Sequence, residues 1–116
     1  MKKKIAIFTF NGELMCFAHA LLNAIDLHEK GHEVKLIIEG SSTQLLPQLH
    51  NPDKPFSKQY QKCRDLDLLD GICKACANKM GTLEFAQEHD LPVIGNMSGH
   101  PAMEDYIADG YEIISM

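Results

Sequence analysis

From Lys4 to Ile38 the sequence alternates in a way that few folds can accommodate. Lys4-Ile5-Ala6-Ile7-Phe8-Thr9-Phe10 is a short, nearly continuous apolar run, the pattern of a parallel strand buried on both faces. Asn11-Gly12 breaks the run, with Asn11 placed to cap a helix. Leu14, Phe17, Ala18, Leu21, Leu22 and Ile25 then recur at helical spacing and define one apolar face. Gly31 offers a left-handed stop after Glu29-Lys30, and Val34 to Ile38 reads as a second strand. Strand, helix and strand in this order make a βαβ unit.

The same alternation continues. Ser41 to Leu49 reads as a short helix, and Pro47, Asn51-Pro52 and Lys54-Pro55 mark a loop behind it. Ser57 is expected to cap a helix that runs through Tyr60 and Cys63 towards Leu66. Leu68 to Cys73 is a third strand. Helical sequence follows from Ala75 to Met80, breaks at Gly81 and restarts at Thr82. Leu91 to Gly95 is a fourth strand, with Pro92 near its start where a missing N–H is tolerated. Ser98-Gly99-His100-Pro101 reads as a helix start, with Pro101 at or near the first helical position and Met103, Tyr106 and Ile107 as an apolar stripe. Gly110 ends that helix, and Tyr111 to Met116 is a fifth strand. The pattern predicts an α/β fold, a three-layer α/β/α domain with a five-stranded, mainly parallel sheet. At 116 residues the chain is expected to form one domain. Met97, Met103, Cys16 and Cys63 are expected in its core.

Charge and hydropathy exclude several functions. A formal net charge of −5 argues against a broad nucleic-acid surface, and Lys2-Lys3-Lys4 serves to solvate the start of the first strand. No apolar run approaches a membrane span, and Ile5 to Phe10 is too short for the apolar core of a signal peptide. A cytoplasmic location is therefore expected, with the four cysteines reduced.

In parallel sheets the ligand site lies beyond the carboxyl ends of the strands. Four segments fall there: Asn11-Gly12, Glu39-Gly40-Ser41, Cys73 to Cys76, and Asn96 to His100. Cys73 and Cys76 are the chemically informative pair. Thiols three residues apart meet on a loop or the first turn of a helix, and the spacing suits a reversible disulfide, half of a metal site, or a sulfur nucleophile beside a second thiol. A cysteine just ahead of a helix receives the field of free N–H groups, which favours thiolate, and Lys74 adds a positive charge. Asn11, Lys74, Ser98 and His100 share this edge and are the candidate binding residues. His19, His28, His32, His50 and His89 show no metal-type spacing and are expected on solvated faces. Asp65, Asp67 and Asp70 read as polar alternation around a strand. The chain lacks the glycine-rich phosphate patterns of nucleotide sites. Two thiols and His100 fall short of a four-ligand zinc site, so no metal ligands and no cofactor are assigned from the sequence.

The run Ile72-Cys73-Lys74-Ala75-Cys76-Ala77-Asn78-Lys79-Met80-Gly81 resembles the strand-to-helix segment of the DsrE/DsrF-like family, which includes the TusD-type sulfur-relay subunits. The likeness extends to Met97-Ser98-Gly99, to the last strand and to the first βαβ unit, and is diffuse between Gln44 and Leu66. It implies a single DsrE-like domain over residues 1–116, with Cys73 at the position of the sulfur-accepting cysteine. Cys76 departs from the relay subunits, which carry a small residue there. The implied function is a sulfur carrier or sulfurtransferase-like protein that forms a persulfide on Cys73, with Cys76 as resolving thiol. Its partners would be sulfur donor and acceptor proteins or small sulfur species, and its assembly a homo-oligomer. On this reading Cys73 is the more exposed and more acidic thiol. Two alternatives stay open: a thiol-disulfide redox or redox-sensing protein using the Cys73/Cys76 pair, and a metal-binding module.

Overall fold

Alternate side chains of the first strand enter different layers, which is why its sequence is apolar throughout. In the computed structural model, which describes residues 1–116, β1 (Lys4–Thr9) sends Ile5 and Ile7 into a cluster of 20 buried residues. Ala6 and Phe8 enter a second cluster of five on the opposite face. After β1 come α1 (Leu14–Glu29), β2 (Glu33–Ile38), a 3-10 turn (Gly40–Leu45), α2 (Leu46–Leu49) and α3 (Ser57–Asp65). Then follow β3 (Leu69–Cys73), α4 (Lys74–Lys79), α5 (Leu83–Glu88), β4 (Val93–Ile94), α6 (Met103–Ala108) and β5 (Glu112–Ser115). The sheet has five strands in the order β4-β3-β2-β1-β5, and every neighbouring pair is parallel. The predicted fold class is therefore observed, with the sheet parallel throughout. No helix is long and apolar enough to cross a membrane.

The two outer layers are unequal. Phe17 of α1, Leu46 and Leu49 of α2, Tyr60 and Cys63 of α3, Ala77 of α4 and Ala86 of α5 all belong to the larger cluster. The smaller one is covered by α6 alone, through Tyr106, whose ring meets Phe8 edge-on at 5.4 Å. Its hydroxyl donates to Asp70 Oδ2 at 2.6 Å, so this aspartate of β3 has a specific partner rather than a solvated role.

Several local expectations need correction. Glu13, not Asn11, caps α1: its Oε2 accepts from the Cys16 N–H at 2.9 Å. Asn11 instead turns the chain one step earlier, accepting from the Glu13 N–H at 2.8 Å. Ser57 begins α3 but does not cap it; Phe56 holds that position in a left-handed conformation, φ 64°. Cys16 is exposed because it faces away from the stripe that α1 buries, whereas Cys63 is buried as expected. Met97 and Met103 are also exposed, and of the stripe on α6 only Tyr106 is buried, since a six-residue helix covers little of the sheet.

The segment before α6 differs most. Ser98 and Gly99 both have positive φ, 51° and 92°, and the Met97 and His100 backbones exchange two hydrogen bonds of 2.9 Å. This is a two-residue hairpin turn rather than a helix start. The helix begins only at Met103, behind Ala102.

Candidate functional site

Three chain segments deliver one chemical cluster to the carboxyl edge of the sheet. The first is the end of β3. Cys73 is the last residue of that strand and the cap of α4, and its Sγ accepts the Cys76 N–H at 3.3 Å. The two thiols thus share the first turn of the helix.

The second is the hairpin turn of Met97 to His100, which docks on α4. The Ala75 N–H donates to the Gly99 carbonyl at 2.8 Å. Glycine suits position 99 twice over: its φ is positive, and a Cβ there would stand 3.0 Å from the Ala75 Cβ. This docking sets His100 Nδ1 at 3.1 Å from Cys73 Sγ and 3.7 Å from Cys76 Sγ.

The third is Glu39, the residue directly after β2. Its N–H donates to the Thr9 carbonyl at 2.8 Å, and its own carbonyl accepts from the Ser42 hydroxyl at 2.5 Å. Held in this way, the side chain is only 8% exposed and places Oε1 at 3.9 Å from His100 Nδ1. One donor atom from each of Glu39, Cys73, Cys76 and His100 lies within 4.8 Å of all the others.

The electrostatics follow from burial. Cys73 is wholly buried, and desolvation pushes its thiol well above the usual cysteine range. The neighbouring Cys76 thiol and Glu39 push in the same direction, while the Cys76 N–H opposes them. Desolvation also raises the Glu39 carboxyl, against the pull of His100 and a hydrogen bond from Cys73. Cys73 is therefore not the exposed, acidic thiol. It ends a strand flanked by β2 and β4 and lies under the Gly99 turn, whereas Cys76, one turn further on, is half-buried.

A single nitrogen, His100 Nδ1, faces both sulfurs and the carboxylate. A relay triad uses both ring nitrogens, one for the nucleophile and one for the carboxylate. This arrangement is not such a relay. It is a dithiol facing one shared imidazole nitrogen, and equally four donor atoms around one point.

The other expected binding residues do not join the cluster. Asn11 is committed to its turn. Ser98 is exposed and serves the hairpin through its backbone. Lys74 points outwards along a cleft of about 560 Å³ that it shares with Ala75, Asn78, Leu83, Gly95 and Gly99. A second cleft of about 360 Å³, lined by Phe10, Glu39, Met97, His100 and Met103 among others, opens directly onto two cluster residues. Glu39 lies in a segment that the strand pattern places on this edge, but the sequence does not single it out as a candidate. Its one signal was a charged residue directly behind the wholly apolar run Leu36-Ile37-Ile38.

No protein-family model matches the sequence. The chain is 30% identical over 120 residues to the uncharacterized protein MJ0733 of Methanocaldococcus jannaschii, across all of this chain and 96% of the relative. It is 46% identical over 61 residues to an uncharacterized protein of Archaeoglobus fulgidus, across 53% of this chain and 98% of that protein. The chain belongs to the same family as the M. jannaschii protein.

Proposed function

We propose that this protein handles sulfur through the Cys73–Cys76 dithiol, with Cys76 as the entry thiol. The observation that carries this reading is the pair of sulfurs at 3.1 and 3.7 Å from one histidine nitrogen. With its proton on Nε2, His100 takes the Cys76 proton on Nδ1 and frees a thiolate at the half-buried position. That thiolate attacks the outer sulfur of a persulfide or polysulfide. The donor's S–S bond breaks, the donor leaves as a thiolate, and Cys76 becomes a persulfide. Cys73 then attacks the inner sulfur of that persulfide, its proton passing to His100 Nδ1, which by then has given the first proton to the departing donor thiolate. A Cys73–Cys76 disulfide forms and hydrosulfide departs, so the two electrons lost by the thiols reduce the carried sulfur.

The resemblance of Ile72–Gly81 to the sulfur-accepting segment of DsrE/DsrF-like proteins supports sulfur transfer, and burial of Cys73 is what moves the entry point to Cys76. Mass spectrometry of the reduced protein after mild polysulfide treatment tests it. Gains in steps of one sulfur are expected, with Cys73→Ser prolonging the loaded form and Cys76→Ser abolishing it. In Cys73→Ser, which cannot close the disulfide, the absence of any sulfur gain while the parent still loses two hydrogens favours the thiol-disulfide redox reading. No change of mass refutes both.

Assembly into a homo-oligomer is part of the same proposal. Met103 and Ile107, 36% and 54% exposed on α6, are the apolar surface that supports it. Light scattering showing a monomer at high micromolar concentration refutes that part alone.

A further inference from the structure

We propose that Glu39, Cys73, Cys76 and His100 together form a site for one thiophilic divalent cation, zinc foremost. This goes beyond sulfur handling, because it gives Glu39 a role that sulfur transfer does not use. Around tetrahedral zinc, Zn–S bonds of about 2.3 Å and Zn–N and Zn–O bonds of about 2.0–2.2 Å put neighbouring ligand atoms about 3.4–3.8 Å apart. The His100 nitrogen stands 3.1, 3.7 and 3.9 Å from Cys73 Sγ, Cys76 Sγ and Glu39 Oε1. Those three edges of the tetrahedron are thus already within about half an ångström of the required lengths. The 4.8 Å bound on the whole set leaves at most about 1.3 Å of closure for any remaining edge.

The donor set fits the same ion. Two sulfurs and an imidazole reject magnesium and calcium, which take oxygen ligands, and select zinc and similar borderline or soft cations. Binding displaces the two thiol protons, and three anionic ligands then face a charge of +2. The cation replaces the mutual repulsion of thiolates and carboxylate by attraction. Four protein ligands close the coordination shell, as in a structural site rather than one with a water-bearing position. The ligands come from the ends of β2 and β3 and from the turn after β4, so the ion would tie together three separate segments of the carboxyl edge. His100, with a side chain 40% exposed, stands beside the cleft that also reaches Phe10 and Met97, which provides an entry path. Sulfur uptake and metal binding use the same two thiols and exclude each other.

The test uses the full chain, stripped with a chelator, reduced with a phosphine and titrated with Zn²⁺ and separately with Co²⁺. We expect one ion per chain and, for cobalt, intense visible d–d bands of tetrahedral geometry with thiolate-to-cobalt charge transfer. Glu39→Gln is expected to weaken Zn²⁺ binding by about 100-fold, because losing even an outer-shell partner costs roughly 10–100-fold. Sulfur uptake from polysulfide by the metal-free parent is measured in parallel, which separates the two proposals. Circular dichroism of Glu39→Gln confirms that its fold is intact. Binding weaker than micromolar in the parent, an octahedral cobalt spectrum, or Glu39→Gln binding like the parent overturns the site. Tight metal binding without sulfur uptake overturns only the sulfur reading.

Discussion

Acid should destabilise this fold through His50 in a way that one substitution can isolate. His50 follows α2 and lies half-buried between α3 and α5. Its Nε2 is 2.9 Å from the Tyr60 hydroxyl, and the Arg64 guanidinium stands 3.5 Å from its Nδ1. The rings of Phe85 and His89 lie 5.1 and 5.0 Å away. Because Arg64 is only a donor, Nδ1 must accept, so the ring is held neutral with its proton on Nε2. Burial, then Arg64, then His89 lower the His50 pKa to about 4 from 6.5. The sign follows from linkage. Above pH 6.5 both folded and unfolded chains are neutral at His50, and its full contribution is present. Between 6.5 and about 4 only the unfolded chain takes the proton, so stability falls. At about 1.4 kcal/mol per unit the ceiling is roughly 3 kcal/mol, and solvent screening of a half-exposed ring reduces it to about 1 kcal/mol. Carboxylates titrate in the same window, so the readout is a difference. Urea unfolding of the parent and of His50→Gln, which keeps a polar partner for Tyr60, should be compared at pH 7.5 and pH 4. The stability of the parent relative to the variant should drop by about 1 kcal/mol at the lower pH. A difference that stays constant across that window refutes the reasoning.

Native alkylation with iodoacetamide should modify exposed Cys16 and half-buried Cys76 before Cys73, and should spare Cys63 until unfolding, since burial pushes the Cys63 thiol up to about 12. Peptide mapping that finds Cys73 alkylated ahead of Cys76 contradicts the assignment of the entry thiol. Gly12→Ala should destabilise the turn beside the site, because the added Cβ would stand 2.6 Å from the Ser41 carbonyl oxygen and 2.9 Å from its carbon, both backbone atoms. A cost of about 1–3 kcal/mol translates into a Tm lower by roughly 5 °C or more, and a variant that melts with the parent refutes the clash.

How far the fold was legible depended on how local each signal was. The βαβ unit could be read because the two-sided burial of β1 leaves a nearly continuous apolar run, β2 repeats it with Lys35 as its interruption, and the buried face of α1 keeps helical spacing from Phe17 to Ile25. The cysteine pair could be placed on the ligand edge because a short strand with a buried end leads straight into Cys73. Ser98-Gly99-His100-Pro101 misled because serine and proline open helices as readily as Ser-Gly forms a left-handed turn, and only the docking of Gly99 on Ala75 decides between them. Among the five histidines placed on solvated faces, His19 and His89 are exposed as expected, whereas His50 misled in another way. His50 meets Tyr60, Phe85 and His89 from two other helices, and no spacing along the chain records that.

Glu39 is the most instructive of these cases. A pair such as Cys73 and Cys76 signs itself by spacing, whereas a cluster residue given singly by its own strand end has no partner within reach along the chain. Its legible trace lies in the topology. In an all-parallel sheet each strand ends on the same edge, so a polar residue directly behind the buried carboxyl end of a strand is aimed at the shared site. Glu39 behind Ile38 and Cys73 behind Ile72 satisfy that condition on neighbouring strands, β2 and β3, and their side chains meet because the strands do. The register pairs Ile38 with Ile72, so the residues that follow them emerge at the same height. His100 arrives by a separate route, from a turn held by its hydrogen bond to the first turn of α4. The site is thus an outcome of strand adjacency for two of its residues, helix periodicity for Cys76 and turn docking for His100.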